Sequence, residues 1–212
     1  LVVFDLDGTL IDSRRDLADA ANALIVEHGG SLLPVDTIAG MVGEGAALLV
    51  RRALAAAGSR LDIERDLRRF LELYNERLLG HTKLYDGTRE MLEALAAHST
   101  LAVLTNKPQH HTDEILRGLD VVRFFRWVLG GDTAHGRKPD PAGLRYLMSA
   151  AGAPAAETLM VGDSAIDLKT ARAAGVAICL VRYGFGFRTT DGLRDGTERL
   201  GADPSALVRL AT

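Results

Sequence analysis

The chain has 212 residues, 47% hydrophobic and 25% charged, with a formal net charge of −3. Those are ordinary values for a folded chain, and they exclude a disordered, collagen-like or disulfide-built protein and a basic nucleic-acid binder. No apolar run reaches the ~18 residues of a membrane span, and the single cysteine, Cys179, suits a reducing, cytoplasmic compartment. Neither nucleic acid nor membrane is therefore expected as a partner, and aromatic residues at 5% are too scarce for a base-stacking surface.

Residues 1–4 form a short apolar, β-branched run that stops at Asp5-Leu6-Asp7-Gly8-Thr9. From about residue 13 to residue 82 no strand pattern is found. Leu17, Ala20, Ala21, Leu24 and Ile25 recur at helical spacing, as do Leu48, Leu49, Arg52 and Ala53. Between residues 64 and 79 one helical face carries Leu67, Phe70, Leu71, Tyr74 and Leu78. Strand-like runs then appear at 101–104, 125–129, 158–161 and 176–181, with helical patterns at 88–97, 112–119, 141–151 and 166–174. Strand and helix in alternation predict a doubly wound parallel sheet with helices on both faces. Continuous apolar runs are what strands buried on both faces look like. The predicted layout is an α/β, Rossmann-like core of residues 1–13 and 83–212. An all-helical domain of residues 14–82 is inserted after the first strand, with hinges near 13–15 and 80–86.

The polar residues share a position. Asp5 and Asp7, Thr105 and Asn106, and Asp163 each follow an apolar run directly. In a parallel sheet all carboxyl ends share one edge, and ligands of open α/β sheets bind outside it. Segments far apart in sequence should thus converge on one site. Carboxylates from Asp5, Asp7 and Asp163, with Asp167 one helical turn after Asp163, call for a hard divalent cation with oxygen ligands, of which Mg²⁺ fits best. Lys138, in Gly136-Arg137-Lys138-Pro139-Asp140-Pro141, adds a cation, and Thr105 and Asn106 add donors. An anionic substrate, above all a phosphate, is the expected occupant. Taken singly, each residue has a plainer reading, such as an Asp capping a helix or a solvated Lys; their joint occurrence in sheet order carries the inference.

At Asp5-Leu6-Asp7-Gly8-Thr9-Leu10 the sequence resembles the haloacid dehalogenase superfamily. The resemblance covers essentially the whole chain. Besides the DxDGT motif it includes Thr105 in Leu-Thr-Asn-Lys, Lys138 before Pro, and Gly162-Asp163-Ser164-Ala165-Ile166-Asp167. It implies Asp5 as nucleophile, forming an aspartyl-phosphate, and Asp7 as general acid and base. Lys138 would offset phosphate charge, and Thr105 with the backbone of Asn106 would bind phosphate oxygens. Mg²⁺ would be held by Asp5, the backbone carbonyl of Asp7, and Asp163. Asp167 would stand behind these ligands or reach the metal through water. The inserted helices correspond to the superfamily's small helical cap. Asp7 argues against dehalogenases and phosphonoacetaldehyde hydrolases, which lack this acid.

Within the superfamily the chain looks most like phosphoglycolate phosphatases, through Gly40-Met41-Val42-Gly43-Glu44-Gly45-Ala46 and Val181-Arg182-Tyr183-Gly184-Phe185-Gly186. The expected activity is Mg²⁺-dependent hydrolysis of a small phosphorylated metabolite resembling 2-phosphoglycolate, by a monomer or homodimer. The alternatives are a phosphomutase of the β-phosphoglucomutase type, a pyrophosphatase of the same group, or an inactive regulatory protein, against which intact Asp5 and Asp7 speak. Gly43 and Glu44 are candidates to touch the substrate's far end, with a plain helix–helix turn as the alternative. Arg51 and Arg52 are expected on a cap helix, one of them a candidate contact to a substrate carboxylate. Cys179 and Trp127 are expected in the core, and His110 and His111 at the surface.

Overall fold

The computed structural model describes residues 1–211. Strand β1 (Val2–Phe4) leads to a loop and the two-residue strand β2 (Ile11–Asp12). Four helices follow: α1 (Arg14–Glu27), α2 (Val35–Ala39), α3 (Ala46–Ala56) and α4 (Ile63–Asn75). The chain returns through β3 (Lys83–Leu84), which pairs antiparallel with β2. It then alternates through α5 (Thr88–Ala96), β4 (Leu101–Leu104), α6 (Gln109–Gly118), β5 (Phe125–Leu129), α7 (Ala142–Ala151), β6 (Leu159–Gly162), α8 (Ala165–Ala174) and β7 (Ala177–Val181). The described chain ends with β8 (Arg199–Gly201) and α9 (Pro204–Ala211).

The main sheet has the order β5-β4-β1-β6-β7-β8, and every neighbouring pair is parallel. From β1 the chain winds first to one side, through β4 and β5, and then to the other. The carboxyl end of β1 is therefore the point where strand order switches, the usual ligand crevice of such sheets.

Alternation along the strands divides the core. Val2 and Phe4, Leu101 and Val103, Leu159 and Val161, and Cys179 and Val181 join one apolar cluster. Val3, Ala102, Leu104, Met160, Ile178 and Leu180 join the other, with Leu144, Leu147 and Leu168 from α7 and α8. The first cluster runs on without a break into the inserted helices, taking in Leu17, Leu24, Ile25, Leu49, Leu54 and Phe70. Cys179 lies in it fully buried, as expected, and burial pushes its thiol up to about 11. Trp127 is partly buried against the second cluster.

The strands expected from sequence are present within a residue or two, and none lies between residues 13 and 82. Two features differ from expectation. Strand β8 adds a sixth strand, and the β2–β3 ribbon ties the two crossings into the helical insertion. Neither carries an apolar run: β8 is exposed at Arg199 and Leu200, and the ribbon strands are too short for any period to show.

Candidate active site

Four strand ends build the site. Asp5 follows β1, Thr105 to Lys107 follow β4, Lys138 stands in the loop after β5, and Asp163 follows β6. Asp5, Thr105, Asn106, Lys138, Asp163 and Asp167 are all buried. The residues that sequence reading drew together are thus brought to one crevice.

Asp5, Asp163 and Asp167 each offer a carboxylate oxygen, and these lie within 4.8 Å of one another. The Lys138 ammonium pairs with Asp5 Oδ1 at 2.8 Å and Asp167 Oδ1 at 2.6 Å. Asp167's other oxygen accepts from the Ser164 amide at 3.0 Å and its hydroxyl at 2.7 Å, closing a capping box at the start of α8. Asp167 is therefore committed on both oxygens, to the lysine and to its own helix. Asp163 accepts from the Gly186 amide at 2.7 Å, which brings the loop after β7 to the site.

Three buried carboxylates face one ammonium, which leaves an excess of about two negative charges. Water does not reach such a place well enough to carry that charge. Burial is accordingly the main influence on Asp5, whose carboxyl is pushed up to about 6, and on Asp163, pushed well above the carboxylate range, with Asp167 adding repulsion in both cases. A hard divalent cation would relieve the excess, and the oxygen-only donors suit one. The residues present therefore fit a divalent metal.

Asp7 faces another way. Its Oδ1 accepts from Ser13 Oγ at 2.5 Å, and Lys107 Nζ lies 3.0 Å from each of its oxygens. Lys107 is itself buried, and the ring of Tyr74, from α4, covers its ammonium at 4.6 Å. Neither Lys107 nor Tyr74 stands out in the sequence as a site residue. Tyr74 reads as one more apolar-face residue of its helix, while Lys107 next to Thr105-Asn106 had the visible signal of a charge directly after a buried strand.

The inserted helices close over this edge. The Asn106 side-chain amide donates to Gly43 O and to Lys138 O, each at 2.9 Å. Gly45 approaches so closely that a Cβ there would lie 2.9 Å from Arg137 Nη1. Between the two parts is a cavity of about 40 Å³ lined by Asp5, Asp7, Thr105 and Lys107 below and by apolar side chains such as Val42, Leu49 and Phe70 above. Gly43 and Gly45 are on its wall, whereas Glu44 is turned aside and pairs with Arg52 at 2.5 Å. Arg52 also donates to Met41 O at 3.3 Å, and Arg51 is exposed on α3. The expected substrate contacts from Glu44, Arg51 and Arg52 therefore find no support in the geometry.

One expectation is corrected. His110 is exposed, but His111 is buried, because α4 of the insertion lies across the first turn of α6. Its ring stacks on Tyr74 at 5.5 Å, which in turn stacks on Phe70 at 5.9 Å. Burial, with Lys107 and His110 nearby, holds the imidazole below its ordinary value.

The likeness to known proteins agrees with this geometry. A family model for haloacid dehalogenase-like hydrolases matches residues 2–181. A phosphoglycolate phosphatase of Rhodospirillum rubrum is 44% identical over 192 residues, covering 87% of this chain and 80% of that one. One from Pseudomonas syringae pv. syringae is 42% identical over 194 residues, covering 87% and 70%. The crystal structure of a predicted phosphoglycolate phosphatase from Haemophilus somnus matches with a TM-score of 0.92 at 31% identity, covering 100% of this chain and 97% of that one. The chain belongs to the haloacid dehalogenase-like hydrolases. It is an enzyme, a phosphatase-like hydrolase on an α/β core with a helical insertion. Among the described residues no helix is long and apolar enough to cross a membrane.

Proposed function

We propose that the chain is a Mg²⁺-dependent phosphatase for a small phosphorylated metabolite of the 2-phosphoglycolate kind, working through an aspartyl-phosphate on Asp5. The observation that carries this reading is the buried set at the switch point: Asp5, its ion pair to Lys138 at 2.8 Å, and the carboxylates of Asp163 and Asp167. Residues 1–13 and 83–212 form the catalytic core, and 14–82 form the cap.

An Asp5 oxygen attacks phosphorus as the P–O bond to the leaving alcohol breaks, and Asp7 gives its proton to the leaving oxygen. Water then attacks the aspartyl-phosphate while Asp7 takes its proton, which frees phosphate and restores Asp5. Lys138 holds Asp5 in line and offsets charge on the transferring group. Its reach is set by Asp167, which grips the same ammonium at 2.6 Å. Thr105 and the backbone of Asn106 stand at the end of β4 to bind phosphate oxygens. Asp5 and Asp163, with the carbonyl of Asp7, would hold Mg²⁺, and Asp167 would stand behind them. When bound, the metal supplies charge stabilisation to the transferring phosphoryl group.

A phosphomutase would need cap side chains that hold and turn a sugar bisphosphate, and the cap side of the cavity is lined mainly by apolar residues such as Leu17, Val42, Leu49 and Phe70, which favours the phosphatase reading. The test is phosphate release from a metabolite panel, with and without EDTA. Release only with Mg²⁺, lost in Asp5→Asn, is expected. Turnover retained by that variant would remove Asp5 as nucleophile.

A further inference from the structure

The cavity has a charged end that the phosphate chemistry leaves unused. Asp5 and Lys138 mark where phosphorus sits, and Asp7 marks the leaving oxygen. Lys107 touches Asp7 and so lies beyond that oxygen, where the rest of the substrate must go. Among the described residues lining the cavity, Lys107 carries the one cationic side chain. An ammonium has three donors; both Asp7 oxygens engage Lys107 at 3.0 Å and the Tyr74 phenol lies beside the same ammonium, so an incoming carboxylate meets the two groups together.

A second observation points to the same place. The hydroxyl of Tyr74 is buried beside the Lys107 ammonium and finds no acceptor for its own proton, and its ring lines the cavity. A buried donor without an acceptor costs free energy unless a ligand completes it. The surrounding cap wall, with Leu17, Val42, Leu49 and Phe70, offers no competing polar side chain.

We propose that Lys107 and the Tyr74 hydroxyl form a subsite for a carboxylate at the non-phosphate end of the substrate, and that this pair, rather than an arginine of the cap, selects a short carboxylated phosphate ester. The inference rests on the phosphatase reading for which end of the cavity holds phosphate, and it adds the residues that choose the substrate. An ammonium and a phenol meet the two oxygens of one carboxylate. The apolar cap excludes water around them, which strengthens a charge-assisted pair. Because Lys107 also holds Asp7, an occupied subsite places the leaving oxygen beside its proton donor.

Binding tests this without turnover. The probes are 3-phosphonopropionate, which carries a carboxylate, and propylphosphonate, which has a methyl group in its place. Both are titrated calorimetrically in the presence of Mg²⁺ into wild type, Lys107→Met and Tyr74→Phe. Wild type is expected to favour the carboxylated probe by tenfold or more. That preference should fall to near unity in Lys107→Met and by several-fold in Tyr74→Phe. The second variant removes only a hydroxyl that has no acceptor, so it decides the matter should the first fail to fold. Equal binding of both probes by wild type, or an unchanged preference in both variants, overturns the proposal. Phosphate release by wild type without any carboxylate preference would sink the subsite and leave the phosphatase standing. A clear preference without phosphate release from any ester would do the reverse.

Discussion

Gly8 decides whether the acidic cluster can exist. Its φ of +83° is in the left-handed region, which costs a residue with Cβ about 1–2 kcal/mol. Sterically the site is more demanding still: a Cβ there would lie 2.2 Å from Asp163 Oδ2. Asp163 cannot simply step back, because a Cβ-free Gly184 packs against its other side and the Gly186 amide grips the same oxygen at 2.7 Å. Gly8→Ala must therefore push Asp163 out of reach of Asp5. Titration of activity against Mg²⁺ should show the metal requirement rising by at least tenfold, with a smaller loss of thermal stability. An unchanged Mg²⁺ requirement would mean that Asp163 does not hold the metal.

At the scale of elements, the neck of the insertion is fastened by one buried carboxylate. Asp16, in the first turn of α1, accepts from the amides of His81 and Thr82 and from the Thr82 hydroxyl, at 2.7–2.9 Å, just before β3 begins. It thus ties the outgoing helix to the returning strand, next to the β2–β3 ribbon. Burial alone would raise this carboxyl, but the hydrogen bonds from His81 and Thr82 outweigh it and leave it below its usual 3.8. A carboxylate lowered in the folded state stabilises fully above its unfolded value, and that contribution is lost as pH falls through the folded value. Asp16→Asn should cost about 2 kcal/mol at neutral pH, the size of a charged hydrogen-bond set. The gap in chemical-denaturation stability between the two proteins should stay constant down to about pH 5 and shrink below pH 4. A gap independent of pH would show that charge plays no part at the neck.

The same scale shows what could be read in advance. Strands β1, β4, β6 and β7 announce themselves because burial on both faces demands unbroken apolar runs, and Asp5, Thr105 and Asp163 follow as the first polar residues beyond them. What stays hidden is set by tertiary contact. Strand β8 is exposed at two of its three residues and exists because β7 offers an open edge. Tyr74 and Phe70 share a helical face, yet one stacks over Lys107 while the other fills the core, a difference that periodicity does not carry. His111 is buried by a helix some forty residues earlier in the chain, so its neighbours in sequence give no sign of it. The pairing of Lys107 with Asp7 spans 100 residues, and each half looks complete on its own.

At the scale of the whole molecule, the inserted helices, proposed above as the cap, meet the α/β core through few polar side-chain contacts among the described residues. Asn106 supplies one of them: its amide donates to Gly43 O on the cap and to Lys138 O on the core, so closing the cap and setting the lysine loop share one side chain. The rest of the contact is packing: Tyr74 stacks on His111 and stands over Lys107, Gly45 lies against Arg137, and the apolar cluster of β1 and β4 continues into the inserted helices. The cavity these contacts border is small, about 40 Å³, so parting them would widen the way in for a substrate. Asn106→Ala removes the polar latch without touching the stack. One neutral hydrogen bond contributes about 1 kcal/mol, a factor of about five in the open–closed balance. On the proposed mechanism the closed form binds substrate, so that shift should appear mainly as a KM raised by up to fivefold, with kcat changed less. Small-angle scattering should show a larger ligand-free particle for the variant than for wild type, converging once a phosphate mimic such as fluoroaluminate is added with Mg²⁺. If both proteins scatter alike with and without the mimic, and KM is unmoved, the Asn106–Gly43 bond is not what holds the cap down.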